Sequence, residues 1–345
     1  MVGGLSFASQ QAMSYKASDS GIFLWMTYQT MQRMGLDAAA IFASVNLPDQ
    51  PPDKTVRRDN STQRRFWEAA AQISGDADIG LHVGVNMPVF RGQVIEYLFL
   101  SSPSFGEGLQ RTLRYQALLT NAFQLNLRLE GDMAILTGMQ HPVRHYLECA
   151  LSVFLQFFKY ISEGEFQPIE IWLSNADGAT AEEYQRIWHC PVRLGMSESC
   201  IRFAASQLQR PSPAAEPELL KIHENLAEQH LSVLNKHQLI DKIEKLLASG
   251  LLESGALDQQ LIAQKLGSHP RTLRADLQLI NTSFEKIVSQ YREKLARRLL
   301  ANTAESIDQI VYLTGFSEPS AFSRAFKRWT GETPTGYRQR KQAEY

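Results

Sequence analysis

Residues 306–338 contain two short helical patterns, one on each side of Gly315. The second pattern has an apolar face made of Phe322, Ala325, Phe326 and Trp329. Its opposite face is small, polar and basic, and is made of Ser320, Ser323, Arg324 and Lys327. A short helix, a tight turn and a second helix with such an outer face predict a helix-turn-helix, whose second helix can enter a DNA major groove. The alternative is an ordinary helical hairpin with a solvated charged face.

A weaker copy of this arrangement occupies residues 258–280. Its first helix is closed by Gly267, and its second helix has an inner face of Leu273, Leu277 and Ile280. Small hydroxyl residues are good N-caps, so Ser268 is expected to begin the second helix of this copy. Ser317 is expected to do the same in residues 306–338.

A long helix is predicted between the two patterns, because Thr282 and Glu285 form a capping box and the apolar period continues to Leu300. Some 18 residues at ~1.5 Å each span roughly 27 Å. Successive major grooves on one face of B-DNA lie about 34–36 Å apart. A rigid spacer of this length suits two helices that enter consecutive grooves.

The segment GFSEPSAFSRAFKRWTG, followed by TPTGYR, resembles the signature of the AraC/XylS family of bacterial transcription regulators. AQKLGSHPRTL resembles the first DNA-reading unit of that family. The resemblance implies two helix-turn-helix units joined by a linker helix and preceded by a sensing and dimerising domain. It further implies a cytoplasmic activator that binds promoter DNA as a homodimer and contacts RNA polymerase.

Base reading is predicted for the outer residues near the start of both second helices, and phosphate contacts for the charges behind them. In the first unit these residues are His269, Arg271, Thr272, Arg274 and Gln278. In the second unit they are Glu318, Ser320, Ser323 and Arg324, with Lys327 and Arg328 nearer phosphate. Family members of this branch usually carry basic residues where Ala275 and Asp276 stand. Asp276 therefore faces away from DNA, pairs with an arginine, or accepts from a cytosine amino group.

Charge is distributed unevenly along the 345 residues. Residues 1–210 carry 17 Lys and Arg against 20 Asp and Glu, whereas residues 269–345 carry 13 against 8. Basic charge at one end is expected of a nucleic-acid module. No apolar run is long enough for a membrane span, and the first 16 residues do not have the pattern of an export signal. Three cysteines in a chain of this length favour a reducing cytoplasm over a disulfide framework.

Residues 19–207 predict an α+β domain, an antiparallel sheet with flanking helices. Helices are expected from Asp19 to Met34, from Val143 to Ile161 and from Ala181 to Trp188, and a β-hairpin with one buried face at residues 123–137. The stretches GQVIEYLFLSSPSFGEGLQRTLRYQALL and WHCPVRLGMSESCIRFAASQL resemble the arabinose-binding-like sensor domain of one AraC-family branch. That resemblance implies a small-molecule effector and dimer formation.

The effector is not specified by the sequence. An aromatic-rich interior is either an ordinary packed core or an elongated pocket for an apolar or amphipathic ligand. In the second interpretation, Arg91, Arg114 or Lys159 anchors an anionic group. The candidate effector-binding residues are Arg91, Tyr97, Arg114, Tyr115 and Phe158.

The sequence gives little support for a catalytic site or a metal site. His141, His145 and Cys149 recur every four residues, which is compatible with ligands on one helix face, but no distant cluster completes a tetrahedral set. The chain lacks a G-x-S-x-G elbow, a glycine-rich phosphate loop and an H-E-x-x-H motif. We therefore predict no catalytic residue, no metal and no cofactor, and we do not expect an enzyme.

The predicted order is a flexible N-terminus at 1–18, an effector-binding and dimerisation domain at 19–207, a Pro- and Ala-rich linker at 208–217, and an all-α DNA-binding domain at 218–345. Within the last domain the first helix-turn-helix occupies about 258–280, the linker helix about 283–300 and the second helix-turn-helix about 306–330. Two alternatives stay open: a constitutive architectural DNA-binding protein that senses nothing, and an enzyme tethered to DNA.

Overall fold

A computed structural model describes residues 17–47, 51–252 and 257–343. Most of the predicted flexible N-terminus, residues 1–18, lies outside this described part. Ser18, at its end, pairs with Asp59 in a two-stranded antiparallel ladder of β1 (Ser18–Asp19) and β2 (Arg58–Asp59). The chain divides into two compact units, here called the N-terminal unit (residues 1–229) and the C-terminal unit (residues 230–345).

The N-terminal unit combines helices with a five-stranded sheet of order β3-β4-β7-β5-β6. Its helices are α1 (Gly21–Arg33), α2 (Ala38–Ala43), α3 (Gln63–Ser74), α4 (Ile79–Asn86), α5 (Val94–Leu100), α6 (Phe105–Tyr115), α7 (Arg144–Ile161) and α8 (Ala181–Trp188). The strands of the sheet are β3 (Asn126–Glu130), β4 (Met133–Thr137), β5 (Pro168–Trp172), β6 (Val192–Arg193) and β7 (Cys200–Ala204). The predicted mixture of sheet and helices is confirmed. The expectation of a purely antiparallel sheet is wrong, because β6 runs parallel to β5.

The predicted hairpin exists as β3 and β4, but only β4 is buried along its length. Leu129 in β3 is 61% exposed. β3 is an edge strand of the sheet. Alternation of apolar and polar residues in its sequence does not ensure that another element packs on its apolar side chains. The expected buried face is confirmed at Phe123 and Leu125, which precede β3, and is wrong at Leu129.

α7 is the buried centre of the N-terminal unit, as its nearly all-round apolar sequence predicts. α4 packs against it at very short range. A Cβ atom on Gly80 would lie 2.3 Å from the carbonyl oxygen of His145, and one on Gly84 would lie 2.8 Å from the Cα atom of Cys149. Glycine at both positions lets the two backbones approach.

His82 of α4 lies between two carboxylates, Asp76 just before α4 and Glu183 of α8. Its Nδ1 lies 2.5 Å from Asp76 Oδ2 and its Nε2 lies 2.7 Å from Glu183 Oε1. Burial opposes the charged imidazole, but the hydrogen bonds to Asp76 and Glu183 outweigh it and raise the pKa of His82. The hydrogen bonds from Arg186 and His82 lower the pKa of Glu183 to about 2.

We expect this bridge to stabilise the protein at mildly acidic pH. Because the pKa of His82 is raised in the folded state, the bridge stabilises the protein fully below the unfolded-state pKa of about 6.5. This stabilisation is lost as the pH rises through the folded-state pKa. His82→Gln should lower the free energy of unfolding by about 1 kcal/mol or more at pH 6, and by less at pH 8.5. Urea titrations at both pH values measure this, with the exposed His237→Gln as the control. An equal loss at both pH values would contradict the assignment.

The predicted linker is bound to the N-terminal unit. The Phe105 N–H donates to the Arg210 carbonyl at 2.9 Å, and the Ser212 N–H donates to the Pro103 carbonyl at 3.1 Å. A single helix then follows, α9 (Pro217–Leu246). The division into the two compact units falls within α9, after residue 229.

In the C-terminal unit, six helices within the described residues follow α9. They are α10 (Gln259–Lys265), α11 (Pro270–Leu279), α12 (Phe284–Asn302), α13 (Ile307–Leu313), α14 (Pro319–Thr330) and α15 (Pro334–Ala343). They enclose two hydrophobic clusters. The first contains Leu273, Leu277 and Ile287, and the second contains Leu300, Phe322 and Phe326. α12 is shared, since its first half packs in the first cluster and its second half in the second cluster.

Candidate functional site

The first helix pair of the C-terminal unit is α10 and α11. His269 is the N-cap of α11, and its Nδ1 accepts from the Arg271 N–H at 3.3 Å. The expectation that Ser268 caps this helix is wrong, because His269 has the extended backbone of an N-cap and Pro270 occupies the first helical position. The imidazole predicted to read a base therefore also orders the start of α11.

The predicted reading residues of α11 share one exposed face, while its buried face enters the first cluster. The exposed residues are His269, Arg271, Thr272, Arg274 and Gln278. Asp276 is exposed as well, and no ion pair joins it to an arginine within the described part of the chain.

The second helix pair is α13 and α14. Glu318 is the N-cap residue of α14, without a side-chain cap bond, and Pro319 is at the first helical position. Ser317, the expected cap, precedes it, so that prediction is wrong by one residue. The outer face of α14 carries all six predicted residues: Glu318, Ser320, Arg324, Lys327 and Arg328 are exposed, and Ser323 is half-buried.

Four cations on these two faces have no acidic partner within the described part of the chain. Among the ion pairs of the described residues, none involves Arg271, Arg324, Lys327 or Arg328. Arginine and lysine elsewhere in the C-terminal unit are often paired, as Lys294 is with Glu244. Unpaired guanidinium and ammonium groups on an exposed helix face are available for phosphate and for guanine edges.

α12 holds the two helix pairs apart. It has 19 residues, which is about 28 Å at ~1.5 Å per residue. Its N-cap is Ser283, whose side chain accepts from the Lys286 N–H, and not the expected Thr282. Asn281 has a φ of 56°, as expected for a left-handed residue that ends α11.

Side-chain contacts fasten α12 to the second pair. Arg292 Nη2 donates to the Gly315 carbonyl at 2.9 Å, and its guanidinium lies 4.9 Å from the centre of the Phe316 ring. Trp329 Nε1 donates to Ser289 Oγ at 3.2 Å. These bonds make the long helix and the turn around Gly315 one structural piece.

Gly315 is required at this turn for two reasons. Its φ is +70°, and a Cβ atom would lie 2.5 Å from the Leu252 carbonyl oxygen. Gly331 has a similar φ of +82° but open space around it. We expect Gly331→Ala to cost about 1 kcal/mol of unfolding free energy and Gly315→Ala to cost at least about twice that. Thermal unfolding of both variants measures the difference, and equal costs would show that the backbone contact does not matter.

The N-terminal unit contains a cavity of about 80 Å³ between α1, α3 and α7. Its walls are mostly apolar side chains, among them Phe23, Phe66, Met87 and Phe154. One part is polar, where Asp19 accepts from Thr120 Oγ1 at 2.6 Å and from the Tyr146 hydroxyl at 2.9 Å. Burial raises the pKa of Asp19, and these two hydrogen bonds oppose the rise.

None of the five predicted effector-binding residues lines this cavity. Arg91 lies over the Tyr160 ring, and Tyr97 stacks on His223. Arg114 lies over the Tyr115 ring, whose hydroxyl donates to Glu228. Phe158 is buried among other phenylalanines, in agreement with the packed-core interpretation. The sequence did not indicate the cavity residues Asp19, Asn60 and Tyr146, because they come from distant segments and share no periodic pattern.

The metal candidates are dispersed. The His141 ring lies 4.1 Å from the Tyr146 ring, the Nδ1 atom of His145 is 3.9 Å from Glu148 Oε2, and the sulfur of Cys149 is 3.6 Å from that of Met87. Burial raises the pKa of the Cys149 thiol to about 12. No cluster of metal-ligating side chains occurs among the described residues.

Comparison with known protein families decides the identity of the chain. Residues 35–212 match the model of the arabinose-binding N-terminal domain of AraC transcription regulators, and residues 262–340 match a helix-turn-helix domain. The chain belongs to the AraC family. It is a DNA-binding transcription regulator with an N-terminal domain of ligand-binding type.

Individual relatives of this AraC-family chain are regulators, not enzymes. The ornithine utilization regulator of Pseudomonas aeruginosa is 25% identical over 79% of this chain and 81% of its own length. VirS, a helix-turn-helix transcriptional regulator of Mycobacterium tuberculosis, is 27% identical over 58% of each chain. Among solved structures, the transcriptional regulator CdpR of P. aeruginosa matches with a TM-score of 0.45 and 18% identity, over 95% of this chain and all of CdpR. No helix in the described residues is long and apolar enough to cross a membrane.

Proposed function

We propose that this AraC-family regulator is an effector-controlled activator that reads a two-part site in promoter DNA with both helix pairs. α10 and α11 form the first helix-turn-helix, and α13 and α14 form the second. The observation that carries this proposal is the pair of exposed polar and basic faces, on α11 and α14, at opposite ends of α12. The reading residues are those named above for the two helices.

The spacing of the faces favours two contacts rather than one. A helix of about 28 Å, together with the width of the helices packed at its ends, is comparable with the ~34–36 Å between successive major grooves. The two clusters also leave both faces free at once, because each cluster buries only the opposite side of its second helix. One chain can then read two adjacent major grooves.

Control by a small molecule is the second part of the proposal. A ligand bound in the N-terminal unit shifts the population of homodimers that are competent to bind the promoter and to contact RNA polymerase. The cavity between α1, α3 and α7 offers a space with mostly apolar walls for such a ligand, and the chain has a family match to a domain of this kind. The constitutive architectural protein is the competing function.

Selection of binding sites from a random duplex pool tests the DNA part. The full chain should enrich two short motifs separated by about one helical turn, and substitutions in α11 and α14 should erase one motif each. Enrichment of a single motif would reject two-unit reading. For the effector part, the affinity for the selected duplex is measured with and without a cell metabolite extract. Equal affinity in both would favour the architectural alternative.

A further inference from the structure

The exposed face of α11 includes apolar side chains as well as polar ones. A helix turns by about 100° per residue, so Ala275 lies opposite the two buried leucines of this helix, Leu273 and Leu277. Ala275 is exposed and therefore occupies the centre of the face that α11 presents to solvent. Leu279 lies one turn further along the helix, within about 40° of Ala275, and is 80% exposed. Apolar carbon thus forms part of the surface that is expected to meet DNA.

The two sides of this face differ in their chemistry. On one side of Ala275 lie side chains that can donate hydrogen bonds to bases and phosphates: Arg271, Arg274 and Gln278. On the other side lie three side chains that carry no positive charge: Thr272, Asp276 and Leu279. Guanine is read mainly by arginine and lysine, so the second side is not suited to guanine. Its largest group is the apolar side chain of Leu279.

The major groove offers an apolar group of its own, the C5-methyl group of thymine, which apolar side chains contact. A single exposed leucine is ordinary on a protein surface. The position of Leu279 is what matters, because it shares its face with Arg271, which has no acidic partner among the described ion pairs and is available to a base. Ala275 adds apolar carbon at the centre of the face, and its short side chain lets α11 approach the base edges closely.

We propose that Ala275 and Leu279 read thymine through its C5-methyl group, so that the motif bound by α11 contains thymine beside the base pair that Arg271 contacts. Contact between the methyl group and the two side chains removes apolar surface from water on both partners. The inference rests on the proposed reading of DNA by α11, and it deepens that function by naming two further residues and the base that they select.

Replacement of thymine by uracil tests the contact, because uracil pairs with adenine as thymine does and lacks only the methyl group. The probe is the duplex selected by the full chain, with each thymine of the α11 motif replaced in turn. At least one replacement should weaken binding about three- to fivefold, as expected for the loss of one buried methyl group. Replacement of thymines outside both motifs is the control and should leave the affinity unchanged. If no replacement within the α11 motif weakens binding, these side chains face solvent or a protein partner, and the proposal is overturned.

Substitutions in α11 test the two residues. Leu279→Ala and Ala275→Gly should each reduce the effect of uracil at the contacted thymine to less than about twofold, because the methyl group has lost its apolar partner. Each ratio of affinities is taken within one variant, so a general loss of helix stability cancels. Leu219→Ala is the matched control, since Leu219 is a leucine on α9 that is 48% exposed. It should keep the full effect of uracil. An undiminished effect in both α11 variants overturns the assignment.

The proposed function and the thymine contact fail in different ways. A chain that enriches no motif from the random pool refutes the DNA-reading function, and the methyl contact is refuted with it. A chain that enriches two motifs but binds every uracil duplex as tightly as the parent keeps the DNA-reading function and loses only the thymine contact.

Discussion

Arg271→Ala relaxes sequence specificity at one base pair, whereas Lys327→Ala weakens binding to all duplexes alike. These are the expected results if Arg271 contacts a guanine edge from the start of α11 and Lys327 contacts phosphate from the far part of α14. A bidentate arginine–guanine contact contributes about 1–3 kcal/mol of discrimination, or roughly 5- to 150-fold. Loss of one phosphate contact lowers the slope of log affinity against log salt by about 1.

The measurement is a competition titration of both variants against the selected duplex, single-base variants of it and random DNA, at several salt concentrations. Arg186→Ala is the control, because Arg186 is an exposed arginine on α8 in the N-terminal unit. It should leave both affinity and salt slope unchanged. Equal losses on selected and random DNA for Arg271→Ala would refute its role in base reading.

Phe326→Ala should destabilise the second helix pair by about 3–5 kcal/mol. Phe326 is fully buried, and its ring contacts the Phe322 ring at 5.8 Å and the Tyr337 ring at 5.4 Å between centres. Removing a buried phenyl group costs both its transfer free energy and the cavity that it leaves. Tyr312→Ala is the matched control, because Tyr312 is 54% exposed and its loss should be nearly neutral.

The region that is destabilised is as informative as the size of the destabilisation. Since the two clusters share only α12, we expect hydrogen exchange in Phe326→Ala to lose protection at 307–343 and to keep it at 259–280. Leu273→Ala, in the first cluster, should give the reverse pattern. Uniform loss of protection in both variants would contradict the independence of the two clusters.

The helix pairs of the C-terminal unit could be predicted almost entirely from the sequence. Their signals are local: apolar residues at a period of 3.6, glycines at 267 and 315 with positive φ, and prolines at the first positions of α11 and α14. The errors are shifts of one residue in the caps at 268, 282 and 317. Caps depend on backbone dihedral angles that several neighbouring polar residues can adopt, so composition alone does not choose among them.

The N-terminal unit was less predictable because its pairing is not local. Nothing in the alternation of residues 123–129 indicates that β3 is an edge strand, and two residues, Val192 and Arg193, are too short a strand to reveal its parallel pairing. The effector residues were sought among aromatic and basic side chains that are prominent in the sequence. The cavity is instead lined by residues from widely separated segments.

The amino-acid sequence by itself determined the family, the two helix pairs, the spacer between them and the residues on their outer faces. These features follow from periodicity and turn chemistry within about 35 residues. Only the tertiary structure decided which carboxylate and amide are enclosed with the aromatic side chains of α1, α3 and α7. Asp19, Asn60 and Tyr146 come together through packing of distant segments. Their polar atoms are buried only because those segments pack, and burial makes the hydrogen bonds of these atoms matter for stability and binding.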